Sequence, residues 1–239
     1  MLNSKLIKAF ALLGAVSLMP HANAALLDAF ENGGFEGGSI NTNTWNSTVP
    51  PGWTTTAGTP DTFTGDTNFQ SHTWAPSSTG GQFLHGIGWQ PGYTESALQV
   101  GLGGLVIGQQ YEISFEQSIS RSQWSQTGGY WKIKFGDEIQ DSAHMDIPDF
   151  GVFEGWTWQT MIFTATAEIQ TLEVIAWSDT DSFRTDIGID SFFLGDPGTN
   201  PDNPDNPDNP NPVPEPASIA LFGLGLAGLG FSRRRKAKA

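Results

Sequence analysis

The sequence contains no cysteine among its 239 residues. Disulfides and thiol chemistry are therefore excluded, and the stability of the fold must come from packing or from a bound metal. Basic residues are also scarce, because 11 Lys and Arg stand against 25 Asp and Glu, for a net charge of −14. Proteins bind nucleic acids through Lys and Arg. The charge therefore argues against nucleic acid or anionic lipid as a partner and is otherwise explained by solubility.

Long helical patterns are missing from residues 25–196, where the apolar segments have the period of β-strands. The clearest segment, 111–119, alternates apolar and polar residues, and 130–135 repeats the pattern. If these two strands pair antiparallel, two glutamates lie on the face that carries two lysines, and opposite charges across strands are mildly stabilising. The residues concerned are Glu112, Glu116, Lys132 and Lys134.

Further strands are indicated between Gly-rich turns. We expect them at 82–88 and 95–100, as a hairpin of 158–166 with 170–177, and at 187–194. β-Branched and aromatic residues are frequent in these segments. The pattern predicts one all-β domain over 25–196, with a β-barrel as the alternative to a β-sandwich.

The first 24 residues, 1–24, have the organisation of a signal peptide. Two lysines precede the apolar run 9–19, and the small residues Ala22 and Ala24 follow it where a signal peptidase would cut. We therefore expect export, with signal peptidase as a processing partner and a mature chain that begins at Ala25.

The last segment, 213–239, combines a proline motif, a short apolar run and a basic end. The run 217–231 contains four glycines and is shorter than the roughly 17 to 25 residues of a comfortable membrane helix. By the positive-inside rule, the basic end would remain in the cytoplasm. The sorting residues are Pro214, Glu215 and Pro216 together with Arg233, Arg234 and Arg235.

This tail resembles the PEP-CTERM sorting domain of Gram-negative, exopolysaccharide-producing bacteria. The resemblance implies a single short transmembrane helix that resides briefly in the inner membrane. It also implies cleavage near the Pro-Glu-Pro motif by exosortase, a membrane-embedded cysteine transpeptidase. The protein would then reach the cell surface or the extracellular biofilm matrix. An ordinary single-pass anchor is the alternative.

Residues 197–212 join the domain to this tail. An Asn-Pro-Asp unit repeats within them, and proline in every unit disfavours both helix and sheet. We therefore interpret the segment as an extended, solvated spacer.

A second set of short motifs covers nearly all of 25–196. The motifs are 32–36, the turn 101–108 leading into 111–115, 163–166 with 171–172, and 189–194. They resemble the galactose-binding-like jelly roll of many carbohydrate-binding modules, although Ile189-Asp190-Ser191 stands where relatives commonly show Asp-Asn-Val. The resemblance implies a jelly-roll β-sandwich with one structural calcium. Carried over by position, its ligands would be Glu36 and Asp190, and calcium's preference for oxygen ligands fits an acidic domain.

Tryptophans in Gly-, Pro-, Ser- or Thr-rich stretches are candidates for contact with carbohydrate. Sugar rings have apolar faces that stack on aromatic side chains, while their hydroxyls pair with polar groups. Any one of these tryptophans could instead cover a sheet edge. The candidates are Trp45, Trp53, Trp74, Trp89 and Trp124, whereas Trp131 and Trp158 are expected in the core.

Catalytic chemistry is weakly indicated. His72, His85 and His144 lie far apart without the spacing of a zinc site, and no Gly-x-Ser-x-Gly elbow occurs. We therefore expect a non-enzymatic exported protein that binds extracellular polysaccharide. A structural or adhesive surface protein without a sugar site is one alternative, and a polysaccharide-degrading enzyme is the other.

Overall fold

The computed structural model describes residues 30–40, 49–70, 72–89 and 92–204. The predicted signal peptide, the sorting segment and Trp45 lie outside these residues. In the part of the chain that is described, no helix is long and apolar enough to cross a membrane.

Thirteen strands form within the described residues. They are β1 (Thr54–Ala57), β2 (Asp61–Thr64), β3 (Asn68–Phe69), β4 (His72–Thr73), β5 (Gln82–Trp89), β6 (Tyr93–Thr94), β7 (Ser96–Gly103), β8 (Gln110–Ile119), β9 (Gly129–Phe135), β10 (Glu138–Asp141), β11 (Thr157–Thr164), β12 (Ile169–Ser178) and β13 (Thr185–Gly195).

Eleven of these strands make up the two main sheets of a sandwich. Sheet A has the order β11-β8-β13-β5-β2, with β6 paired to β5, and sheet B has the order β1-β7-β12-β9-β10. Strands that follow each other in sequence, such as β7 and β8, often lie in different sheets. This arrangement confirms the predicted all-β jelly-roll sandwich.

The conditional pairing of 111–119 with 130–135 does not form, and the predicted hairpin of 158–166 with 170–177 is wrong. Strand β8 pairs with β11 and β13 in sheet A, whereas β9 pairs with β10 and β12 in sheet B. Strands β11 and β12 likewise belong to different sheets, so they form no hairpin. Glu112 and Glu116 therefore do not face Lys132 and Lys134. Periodicity identifies a strand but not its partner, and the segments between these strands cross from one sheet to the other.

The core between the sheets is formed by one face of each sheet. Phe115 of sheet A and Trp131 of sheet B are both fully buried, which agrees with the expectation for Trp131. Trp131 Nε1 also donates a hydrogen bond to the backbone oxygen of Gly188, 3.0 Å away. This bond ties sheet B to the central strand of sheet A.

The outer face of sheet A is covered by loops that carry a second aromatic cluster. Trp156 Nε1 donates to the backbone oxygen of Ala75 at 2.8 Å and fastens two of these loops together. As a result, β8 and β13 are buried on both of their faces. The cluster consists of Phe63, Phe69, Trp74 and Phe83, with Phe153 and Trp156 packed against them.

The beginning of the Asn-Pro-Asp repeat also lies on sheet A. Asn200 Nδ2 donates to Ser114 Oγ at 2.8 Å, and Asn203 Nδ2 donates to Thr160 Oγ1 at 3.1 Å. Both asparagines are buried. For the residues described up to 204, the expected solvated spacer is therefore wrong. Proline prevents regular structure, but the amide side chains of the repeat still dock on the domain.

Candidate functional site

A pocket of about 530 Å³ lies where β5, β6 and the loops before β9 and β13 meet. Trp89 is 49% exposed and Trp124 is 59% exposed. Large aromatic side chains that remain accessible in a concave surface indicate a binding site. The described lining consists of Ile87, Trp89, Tyr93, Trp124, Gln126, Ser182, Phe183 and Arg184.

The loop that carries Trp124 is held by a buried carboxylate. Ser122 Oγ donates to Asp186 Oδ2 at 2.6 Å and accepts a hydrogen bond from the Trp124 backbone at 3.1 Å. The Gln126 backbone in turn donates to the carbonyl of Arg184 at 2.9 Å. Because Asp186 is fully buried on β13, this side of the pocket is fixed to the sheet and is preorganised.

The guanidinium of Arg184 is aligned by two neighbours. Its Nε and Nη2 donate to Asp186 Oδ1 at 3.1 and 2.5 Å, and Nη2 also donates to Gln70 Oε1 at 2.6 Å. Gln70 has a φ of 50°, a left-handed conformation that is uncommon for a residue other than glycine. Arg184 is buried, so these bonds hold its guanidinium in the wall of the pocket.

A group of ionisable side chains lies directly behind the pocket. His85 Nδ1 is 3.5 Å from Asp61 Oδ2, and His85 Nε2 is 3.3 Å from Asp186 Oδ1. Burial by itself lowers the pKa of His85, but the carboxylates of Asp186 and Asp61 outweigh it and raise the pKa to about 9. The imidazole ring also stacks on Phe63, with 4.4 Å between ring centres.

Glu95 connects this group to the pocket wall. Tyr93 Oη donates to Glu95 Oε1 at 2.9 Å, and the Ile87 backbone donates to Glu95 Oε2 at 2.8 Å. Burial is the main reason that the pKa of Glu95 rises to about 7. Tyr93 and Ile87 both line the pocket, so the residues that hold Glu95 in place also form the pocket wall.

The two predicted calcium ligands lie near a third carboxylate. Asp190 Oδ2 accepts a hydrogen bond from Ser77 Oγ at 2.5 Å, while the buried Asp190 Oδ1 has no hydrogen-bond partner among the described residues. Burial, together with the charges of Glu116 and Glu36, raises the pKa of Asp190 to about 8. Glu36 Oε1 accepts a hydrogen bond from the Gln82 backbone at 2.8 Å.

Glu116 is well supplied with hydrogen bonds in this region. Its Oε2 accepts bonds from the Ser78 backbone at 3.0 Å, from Ser78 Oγ at 2.8 Å and from Ser191 Oγ at 3.0 Å. Ser191 has a φ of 60° at the irregularity in β13 beside Asp190. The irregularity in β13 therefore places the Ser191 hydroxyl against Glu116, next to Asp190.

The candidate tryptophans separate into three groups. The structure brings Trp89 and Trp124 together in the pocket. Trp53 and Trp74 are only 6% and 2% exposed, so their proposed role in stacking on sugar is corrected. Trp53 instead stacks on Phe35 at 4.6 Å, and Trp74 belongs to the second aromatic cluster. Their glycine- and proline-rich segments are loops, as expected, but these loops pack against the sheets. Trp45 is not among the described residues.

Sequence reasoning missed the buried polar group. Asp61, Glu95 and Asp186 were not singled out, since they are far apart in the sequence and meet only when β2, β5 and β13 pair. One local signal was present. His85 lies between Phe83 and Ile87 in the apolar phase of its strand, where a histidine must be buried.

Comparison with known proteins identifies the C-terminal segment. Residues 212–236 match the PEP-CTERM protein-sorting motif. This match covers a small part of the chain and indicates an exported protein that is sorted to the cell surface. No curated protein matches the sequence.

Solved structures with a similar arrangement of strands are distant in sequence. A cyclase from Fischerella sp. TAU is 15% identical, with a TM-score of 0.44, and the match covers 72% of this chain and 96% of the cyclase. TmCBM61, solved with β-1,4-galactotriose, is 13% identical, with a TM-score of 0.39 and coverage of 69% and 94%. Tailspike protein 4 of bacteriophage CBA120 is 14% identical, with a TM-score of 0.42. That match covers 71% of this chain but about a fifth of the tailspike domain.

Proposed function

We propose that this protein is an exported, exosortase-sorted surface protein that binds carbohydrate without catalysis, through the pocket of Trp89 and Trp124. The observation that carries the proposal is the convergence of exposed aromatic rings with the polar side chains of Gln126 and Arg184 in one concave site. An aromatic ring stacks on the apolar face of a sugar, while donors such as Arg184 and Gln126 pair with its hydroxyls.

The lining of the pocket favours binding over hydrolysis. Glycoside hydrolysis uses a pair of carboxyl groups at the scissile bond, and the described lining contains neither aspartate nor glutamate. The charge of Arg184 is matched by Asp186, and the chain as a whole is strongly negative. A polyanionic glycan would be repelled at long range, so a neutral sugar unit of an extracellular polysaccharide is the ligand that fits best.

The proposal is tested by affinity electrophoresis of the full-length protein in gels that contain neutral polysaccharides. Trp89→Ala and Trp124→Ala should each weaken retention about tenfold, because each removes a stacking surface. Phe150→Ala is the matched control, since Phe150 is an equally exposed aromatic residue outside the pocket. Unchanged retention in both tryptophan variants would place the binding elsewhere, and release of reducing ends would indicate a degrading enzyme instead.

Processing of the tail is tested separately by mass spectrometry of the surface protein from the producing cell. Exosortase sorting predicts cleavage near Pro214, Glu215 and Pro216 and loss of the basic cluster. Mature protein that still carries Arg233 to Arg235 would contradict this part of the proposal.

We also propose that one structural calcium joins the two ends of the domain through Glu36 and Asp190. The orphaned Asp190 Oδ1 and the nearby carboxylate of Glu116 supply the hard, negative oxygen ligands that calcium prefers. Calcium added after chelation should raise the melting temperature of the parent protein but not that of Asp190→Asn. A melting temperature that is insensitive to chelation would exclude the site.

A further inference from the structure

The buried group behind the pocket has the composition of a metal site. Asp61, His85 and Glu95 each offer one ligand atom, and these three atoms lie within 4.8 Å of one another. Asp61 is directly opposite His85 in the pairing of β2 with β5, so both side chains leave the sheet on the same face. Glu95 reaches them from the segment after β6, where hydrogen bonds fix its carboxylate.

The nitrogen atoms of His85 provide a second and independent observation. The ring is completely buried, yet neither Nδ1 nor Nε2 forms a hydrogen bond with the described residues. A buried polar atom without a hydrogen bond is costly, and such atoms in native structures often mark a ligand or an ion. Nδ1 lies 3.5 Å from Asp61 Oδ2, and Nε2 lies 3.3 Å from Asp186 Oδ1.

The balance of charge also favours a dication. The group contains three carboxylates, those of Asp61, Glu95 and Asp186, and one guanidinium, that of Arg184. If the imidazole of His85 is neutral, two negative charges remain uncompensated. The surroundings are apolar, with Phe63, Phe69 and Trp74 against the imidazole. Uncompensated charge is unfavourable in such an enclosure.

We propose that Asp61, His85 and Glu95 bind one divalent transition-metal ion, of the Zn²⁺ type, behind the pocket. One imidazole nitrogen with two carboxylate oxygens is a donor set that suits such ions. Asp186 would act as a positioning residue, because a carboxylate on the far nitrogen of a ligating histidine orients its ring. Asp186 also holds Arg184 and the Trp124 loop, so the metal site and the pocket are mechanically connected.

The test is a zinc titration of the full-length protein, after chelation and with excess calcium present to occupy oxygen-only sites. Isothermal titration calorimetry should give one zinc ion per chain. His85→Gln should weaken binding at least a hundredfold, and Asp61→Asn at least tenfold. His144→Gln is the control, because His144 is half exposed and pairs with Asp179 away from the group; it should leave this zinc ion in place.

Three outcomes would overturn the proposal. They are the absence of zinc binding by folded parent protein, equal affinity in the parent and in His85→Gln, and loss of the zinc ion in His144→Gln. Near-ultraviolet circular dichroism checks that each variant is folded. If His85→Gln does not fold, Asp61→Asn decides the question, since its amide keeps the shape of the carboxylate. Zinc should also raise the melting temperature of the parent protein more than that of Asp61→Asn.

Discussion

The two sheets of the sandwich have similar alternating sequences but bury them differently. In sheet B, β9 and β12 alternate between buried and half-buried residues, so one face packs on the core and the other meets solvent. In sheet A, nearly every residue of β8 and β13 is buried, because loops cover the outer face. An alternating sequence therefore shows that one face of a strand is polar, but it does not show that this face is exposed to solvent.

The difference determines what charged residues do in each sheet. On the open face of sheet B, Lys132 meets Asp141 in an ion pair at 2.8 Å in which Asp141 is half exposed. On the covered face of sheet A, carboxylates such as Glu112 and Glu116 must be satisfied by loop donors, because water does not reach them. The pocket and the buried polar group both belong to the covered side.

The largest expected effect comes from neutralising a glutamate on the covered face of sheet A. The same change on the open face of sheet B provides the comparison. Glu116→Gln should lower the free energy of unfolding by about 3 kcal/mol, because a buried carboxylate that accepts three hydrogen bonds is replaced by an amide that also donates. Glu173→Gln on the open face should cost less than about 0.5 kcal/mol. Glu173 is only half buried and accepts a hydrogen bond from Thr56 Oγ1.

Urea denaturation monitored by tryptophan fluorescence measures both changes. Equal losses in the two variants would contradict the distinction between a covered and an open face. A small loss in Glu116→Gln would mean that the loops around Ser78 open readily and that water satisfies the carboxylate.

A second prediction concerns residues 200–204, a strap that lies on sheet A. Asn200→Ala should lower the free energy of unfolding by about 1 to 2 kcal/mol, because it leaves the buried Ser114 hydroxyl without the donor that Asn200 Nδ2 supplies. Asn209→Ala makes the same change in a later unit of the repeat. The interpretation of the repeat as a spacer predicts no cost there.

Thermal unfolding of the two asparagine variants, side by side, measures this contrast. Equal melting temperatures for Asn200→Ala and the parent would show that the strap adds nothing to the cover of sheet A. In that case the folded domain would end at residue 196, as the sequence predicts.

The strands could be predicted from the sequence more reliably than their partners could. The segment 111–119 coincides with β8 and 130–135 lies within β9, since local alternation defines a strand. Their pairing depends on where the intervening loop crosses, which is a property of the whole sandwich. The Gly-, Pro- and Ser-rich surroundings of Trp89 and Trp124 predict their exposure. No local pattern predicts that Asp61, His85 and Glu95 meet, because β2 pairs with β5, and the segment after β6 reaches them, only after folding.

A third prediction concerns the cation on the open face of sheet B, where we expect a smaller loss than on the covered face. Lys132 Nζ lies 4.6 Å from the Trp177 ring centre and 5.1 Å from that of Tyr130, in addition to its bond with Asp141. Lys132→Met keeps the aliphatic part of the side chain and removes the charge. We expect a loss of about 0.5 to 1 kcal/mol, the usual value of a cation–π contact and an ion pair that solvent screens.

Salt dependence distinguishes this loss from a loss of packing. The difference between the parent protein and Lys132→Met should shrink as sodium chloride is raised, because Asp141 is accessible to counterions. The corresponding difference for Glu116→Gln should change little, because its oxygens are buried and bonded to neutral donors. A salt-insensitive loss in Lys132→Met would mean that the contacts of the ammonium with the Trp177 and Tyr130 rings, rather than the ion pair with Asp141, stabilise this face.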